Sequence, residues 1–276
     1  MDFISLDLNK HLSKYIESIF HFKGFNPDHS IERVVPTGHV FLIFELDGFE
    51  RYTYNNKSLK PTGVFTDVWV SGNHKNYLSI SAHQNSEMLV VQLKPKGFYP
   101  ITHVPSSTLN DKVIPAQELF GTEILNLRTT ILNQKTSTEK FEVIEEWLMN
   151  RIALDDVPNS ELTNILDLLK TKPLTNHADI ISSYSKTQKH LIDQFKKYFG
   201  LTPKVFHRIF RFNEILKEIH TKNNIRWSQI TYQFGYTDQS HFIKEFKEFS
   251  GFNPQEFIVS DFHKEQPNFF PLDRKS

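Results

Sequence analysis

The residues best placed to do chemistry in this 276-residue chain lie at positions 235–257, GYTDQSHFIKEFKEFSGFNPQEF. Phe242, Phe246 and Phe249 recur at helical spacing and demand burial. That turns Gln239, Ser240, His241, Lys244, Glu245, Lys247 and Glu248 to the opposite face. An amide, a hydroxyl, an imidazole and two ammonium groups on one helical face supply hydrogen bonds and charge rather than bond-breaking chemistry. Such groups bind phosphate oxygens and base edges: glutamine pairs with adenine, lysine with guanine O6 or N7. Asp238 is placed to cap the helix, because its carboxylate accepts from amides without an intrahelical partner. Gly251 ends the helix, and Pro254 suits the first turn of the next. Just upstream, 227–234 reads as a short helix ending at Gly235. Helix, glycine turn and capped helix form the helix-turn-helix arrangement, whose second helix fits a major groove.

The chain contains this unit twice. Phe195-Lys196, Gly200, Pro203 and Phe206 return 51 residues later as Phe246-Lys247, Gly251, Pro254 and Phe257. At the same offset Leu191 maps onto Phe242 and the cap Thr187 onto Asp238. The segment 235–247, followed by Gly251 and Pro254, resembles the signature of the AraC/XylS transcription regulators, and the resemblance covers residues 158–260. It implies double-stranded DNA as partner, contact with RNA polymerase, and an N-terminal domain that senses a small-molecule effector or mediates assembly as a homodimer. It implies no cofactor.

The rest of the module supplies the spacing. Residues 159–172 read as a helix, 178–183 as the short first helix of the first motif, and 187–199 as its recognition helix. Residues 203–221 form a long helix that, by the resemblance, joins the two motifs as a rigid spacer, and 255–258 close the module. Two recognition helices about 34 Å apart would meet successive major-groove segments. Thr187, Gln188, Lys189 and Lys196 are the first-motif contacts; Gln239, Ser240, His241, Lys244 and Lys247 are those of the second. Lys197, Arg208 and Arg211 are expected to bind the DNA backbone. Asp193 stands where the resembled family commonly carries an arginine, two positions before Phe195. The first helix is therefore expected to anchor on the backbone while the second selects sequence.

The first half has a different texture. Residues 9–22 place Leu12, Tyr15, Ile16, Ile19 and Phe20 at helical spacing and predict a helix. Residues 39–46, 49–54, 64–70, 77–81 and 88–93 are short runs rich in Val, Ile, Phe, Tyr and Trp. Turn pairs such as Asp47-Gly48 and Asn55-Asn56 separate them, which predicts an antiparallel sandwich or barrel. Val35-Pro36-Thr37-Gly38 leading into 41–44 resembles the cupin-like N-terminal domain of one branch of the family. Tyr52, Tyr54, Trp69, Tyr77 and Phe98 are candidates for an effector pocket, or else barrel core. Residues 116–134 and 139–152 read as two amphipathic helices, the second with Ser137 as cap, and serve as intramolecular packing or as a dimer interface. The expected fold is α+β: a β-rich domain at 1–115, a helical linker at 116–157, an all-α double helix-turn-helix domain at 158–260 and a tail at 261–276. The boundary falls at 154–158.

Composition agrees with DNA binding by one part only. Residues 158–260 carry 14 Lys/Arg against 10 Asp/Glu, whereas 1–157 carry 15 against 19. With no cysteine, disulfides, thiolate metal sites and cysteine nucleophiles are excluded, in keeping with a reducing cytoplasm. No apolar run is long enough to span a bilayer. His21, His29, His39, His74, His83 and His103 contain no His-x-His of the kind enzymatic cupins use, and read as surface or turn residues rather than metal ligands. There is no phosphate-binding glycine loop, nucleophile elbow or pair of catalytic carboxylates. The alternative class is a cupin-like small-molecule binding protein or enzyme whose helical half mediates protein contacts; the repeat favours the regulator.

Overall fold

The computed structural model describes residues 2–153, 157–220, 222, 225–260, 262 and 268–274. Residues 154–156, where the expected boundary begins, lie outside them. The first half is built from β1 (Asp2–Ser5), β2 (Ile16–Phe25), β3 (Ile31–Val34), β4 (Val40–Glu45), β5 (Arg51–Tyr54), β6 (Pro61–Phe65), β7 (Val68–Ser71), β8 (Leu78–Ser81) and β9 (Ser86–Leu93). The short helix α1 (Phe98–Thr102) and β10 (Val113–Pro115) follow. A last strand, β11 (Phe269–Pro271), returns from the far end of the chain. Two antiparallel sheets result, one ordered β1-β2-β9-β4-β7-β10 and the other β11-β3-β8-β5-β6.

Alternation along β4 shows how the six-stranded sheet divides its duties. Leu42 and Phe44 face outward with Ile19, Val70, Leu89 and Val91, into a core shared with three helices: α2 (Gln117–Phe120), α3 (Glu123–Leu132) and α4 (Ser137–Arg151). Phe41 and Ile43 face the other sheet, beside Trp69 and Val90. The apolar faces of α3 and α4, including Ile124, Ile131, Phe141, Ile144 and Leu148, are thus covered by the barrel.

Several local expectations need correction. The helix predicted over 9–22 is a 3-10 turn at Leu12–Lys14 followed by β2. A bulge between Ile16 and Ser18 shifts the phase of the strand by one residue, so Ile16 and Ile19 share a face three positions apart and imitate helical spacing. The strand predicted over 64–70 is two, because Asp67 adopts a left-handed φ of 57° between β6 and β7. Gly121, φ 61°, likewise divides the helix predicted over 116–134. The cap of α4 is Thr136 rather than Ser137: its hydroxyl accepts from Glu139 N while Glu139 accepts from Thr136 N, a capping box. The histidines are mostly packed rather than superficial. His21 is buried between Ser137 Oγ at 2.8 Å and Glu87 Oε1 at 3.1 Å, and only His103 of the six is exposed.

The second half comprises α5 (Ser160–Thr171), α6 (His177–Ile181), α7 (Gln188–Phe199), α8 (Pro203–His220), α9 (Trp227–Gln233), α10 (Gln239–Ser250) and α11 (Pro254–Val259). Its core is separate and rich in phenylalanine. The 18-residue α8 runs through both repeats: Phe206 lies 6.3 Å from Phe195 of α7, and Phe212 lies 5.5 Å from Phe246 of α10 between ring centres. Val35 and Phe270 from the sheets join this core, so the two halves meet directly.

Candidate nucleic-acid interface

Each repeat starts its recognition helix in the same way. Thr187 Oγ1 accepts from His190 N at 3.2 Å to open α7, and Asp238 Oδ1 accepts from His241 N at 2.8 Å to open α10. The amide of His241 holds the Asp238 carboxyl below its ordinary value. Leu191, Phe195 and Phe199 of α7, and Phe242, Phe246 and Phe249 of α10, are buried. Their opposite faces stay open: Gln188, Lys189, Asp193 and Lys196 are exposed, as are Gln239, Ser240, His241, Lys244 and Lys247. The two faces also look onto one space. Gln188 and Ile192 from α7, and His241 and Lys244 from α10, line a single cleft, with Lys204 and Arg208 of α8 between them.

Three expected backbone contacts are already committed. Glu245, 2 % exposed, accepts from Arg208 Nε at 2.8 Å, Arg211 Nη2 at 2.8 Å and Tyr236 Oη at 2.6 Å. Arg208 also donates to Glu248 at 2.6 Å, and the guanidinium of Arg211 lies 4.1 Å from the Tyr236 ring centre. These arginines tie α8 to α10 and leave little charge for a phosphate. Burial pushes the Glu245 carboxyl up, but Arg211 and Arg208 outweigh it, so its pKa stays below the usual value. Lys197 is turned toward the first half, its Nζ 4.7 Å from the ring centre of Tyr99 and 4.6 Å from that of Tyr198. Lys204, exposed in the first turn of α8, is the cation that sequence reasoning missed. Its signal was its place: a positive charge at a helix N-terminus opposes the helix dipole and asks for another reason to be there.

Comparison with known proteins bears on this geometry. Residues 182–258 match the helix-turn-helix domain family, and residues 9–115 match a domain of unknown function (DUF6597). The chain carries an AraC-type helix-turn-helix domain. It is a DNA-binding transcription regulator. No curated protein matches the chain significantly. Among solved structures, an apo variant of ToxT from Vibrio cholerae is similar at 14 % identity and a TM-score of 0.45, covering 88 % of this chain and 96 % of that one. Wild-type ToxT from Vibrio cholerae bound to an unsaturated fatty acid is similar at 16 % identity and a TM-score of 0.44, over 87 % and 93 % of the two chains. Likenesses of this size carry no functional argument.

The barrel grips both repeats of the AraC-type domain at the same internal position. Gly200 and Gly251, equivalent by the 51-residue repeat, end α7 and α10 with φ of 92° and 77°. Around Gly200, Asn73 Nδ2 donates to Phe199 O at 3.1 Å, Asn110 Nδ2 to Gly200 O at 2.8 Å, and Ser106 Oγ to Tyr198 O at 2.9 Å. Gly251 sits against Tyr77 and Arg33. A Cβ would stand 2.4 Å from Asn73 Nδ2 at the first glycine and 2.6 Å from Tyr77 Cζ at the second. Asn73 and Tyr77 belong to the same β7–β8 connection, which therefore touches both helix-turn-helix units.

Between the sheets lies an apolar cavity of about 170 Å³, lined by Phe20, Phe22, Phe41, Ile43, Trp69 and Val90 among others. Of the five expected pocket residues, Tyr52 and Trp69 line it. Tyr54 and Tyr77 line a neighbouring cleft instead, and Phe98 is buried in the core. For Tyr54 the reason is strand alternation: in β5 Arg51 and Thr53 are buried, which turns Tyr54 outward. Phe20 and Phe22 were missed because β2 imitates a helix. Glu32, Ser71, Ser81 and His83 are among the cavity's polar members, with Arg51, whose Nε donates to Glu45 Oε2 at 2.8 Å and whose Nη2 pairs with Asp47 at 2.5 Å. The buried Nη1 of Arg51 has no partner among the described residues. Burial pushes the Glu45 carboxyl up against the opposing pull of Arg51. Among the described residues no group of His, Asp or Glu could hold a metal ion, and no helix is long and apolar enough to cross a membrane.

Proposed function

We propose that the protein reads two successive major-groove segments of an operator, one with each recognition helix. The observation that carries this is the shared cleft, onto which Gln188 of α7 and His241 and Lys244 of α10 all open. Gln239, Ser240, His241 and Lys244 near the start of α10 select bases, and Lys247 meets phosphate. Thr187, Gln188, Lys189 and Lys196 serve the first motif mainly as phosphate contacts, because the exposed Asp193 presents a carboxylate where an arginine would reach the bases. Lys204 takes the backbone role once expected of Arg208 and Arg211. Acting on DNA, the protein works in the cytoplasm and passes its signal to RNA polymerase. A homodimer would use surface other than the inner faces of α3 and α4, which the barrel covers.

The cavity supports a small-molecule effector. Its lining is aromatic and aliphatic, and its volume of about 170 Å³ suits a single-ring molecule. Arg51 Nη1 offers one unmet donor. Because Glu45 and Asp47 already face Arg51, a neutral carbonyl or hydroxyl fits there better than an anion.

Hydroxyl-radical footprinting on DNA fragments selected by the protein tests the two-segment reading. Two protected patches about one helical turn apart on one face are expected. A single patch would show that only one helix enters a groove.

A further inference from the structure

One layer of two strands separates the cavity from the DNA-binding half. In β3 and β11, Val34 stands opposite Phe269, Arg33 opposite Phe270 and Glu32 opposite Pro271. Successive residues of a strand point to opposite faces, and here the faces meet different parts of the molecule. Glu32, Val34 and Phe269 line the cavity. Arg33 and Phe270 turn the other way. The guanidinium of Arg33 lies 4.2 Å from the ring centre of Phe252, just past the end of α10. Phe270, 1 % exposed, packs 4.9 Å from Phe257 of α11, which in turn packs 5.3 Å from Phe246 of α10. Three rings in contact thus run from the cavity wall to the second recognition helix.

β11 is also the part of this wall most easily moved. It has three residues and forms the edge of its sheet. Its ends are pinned by Val35 N donating to Asn268 O at 3.1 Å and by Asp273 Oδ1 accepting from Ser30 N at 2.9 Å and Ile31 N at 2.7 Å. Phe269, with Phe20, Phe22 and Phe25, lines both the cavity and an open groove beside it, and is itself 39 % exposed.

We propose that β11 couples cavity occupancy to DNA binding: contact with Phe269 on one face is relayed by Phe270 on the other to α11 and α10. This rests on the cavity's being an effector site. The device is a strand with one face to the ligand and one to the reader, and its coupling is reciprocal.

The test uses the full chain and acetophenone, a single ring with a neutral carbonyl, with indole as a second probe. Calorimetry reads probe binding, and anisotropy of a labelled random duplex at low salt reads DNA affinity. The expected result is probe binding and a shift in DNA affinity of at least about fivefold. Phe269→Ala removes part of the cavity wall and should weaken probe binding, and at saturating probe it should reduce the shift below about twofold. Phe270→Leu leaves the cavity lining intact and should keep both binding events while reducing the shift likewise from the opposite face, with circular dichroism and thermal melting verifying its fold. Probe binding with DNA affinity unmoved would overturn the coupling and leave the effector site standing. An equal shift in wild type and both variants would overturn the role of β11. Failure of both probes to bind would overturn the effector site and the coupling together.

Discussion

Glu245→Gln separates structural charge from DNA-reading charge. The carboxylate is 2 % exposed and accepts from two guanidinium groups and a phenol at 2.6 to 2.8 Å. A hydrogen bond to a charged group contributes about 1.5–3 kcal/mol net, and removing one member of a buried charge cluster costs about 3–5 kcal/mol, since the remaining charge is left unpaired. Glutamine keeps one acceptor and turns an N–H₂ donor toward an arginine, so a loss of about 3 kcal/mol is expected near pH 7. Urea titration followed by tryptophan fluorescence reads it, because Trp227 packs 5.5 Å from Phe242 in the same unit. The folded pKa of Glu245 lies below its ordinary value, so its stabilisation is complete above the unfolded carboxyl pKa and fades as pH falls through the lower folded one. The gap between wild type and variant should therefore narrow below about pH 4. A loss under about 1 kcal/mol at pH 7, or a gap that widens in acid, would refute the assignment of Arg208 and Arg211 to this cluster.

Gln239→Ala with Lys244→Ala should weaken discrimination between selected and random DNA by at least tenfold in competition assays, since each lost base contact removes about 1–3 kcal/mol. Gly251→Ala and Gly200→Ala should each cost at least about 1–3 kcal/mol in thermal unfolding from the positive φ, with a clash added against Tyr77 in the first and Asn73 in the second. Burial holds the imidazole of His74 down to about 4, so its contribution is complete above the unfolded pKa and is lost as pH falls from there toward the folded value. Between pH 7 and pH 5 the wild type should lose about 2 kcal/mol that His74→Gln retains, read from urea midpoints.

The helical half was legible because its signals are local. Asp238, Thr187 and Asn159 cap the helices they precede, Gly251 takes φ 77° at the stop, and boundaries fall within a residue or two of the apolar pattern. The sheets were less so. β3 and β11 are defined by pairing across the length of the chain, and β2 carries a bulge that its own sequence does not announce. Glu245 shares its stretch with Lys244 and Lys247 and looks like a solvated charge. Its burial is set by arginines 37 and 34 residues away. The cavity depended on the same long-range pairing, which is why Trp69 was found and Phe269 was not.

The salt dependence of binding to random duplex DNA tests the exposed faces of α7 and α10 most directly. Lys247→Ala and Lys196→Ala should each reduce the slope of log affinity against log salt by about 1, because each withdraws one cation from the phosphates. Arg211→Ala, checked to be folded, should leave that slope unchanged. A slope lowered by the arginine and not by the lysines would mean that DNA meets another face of this domain.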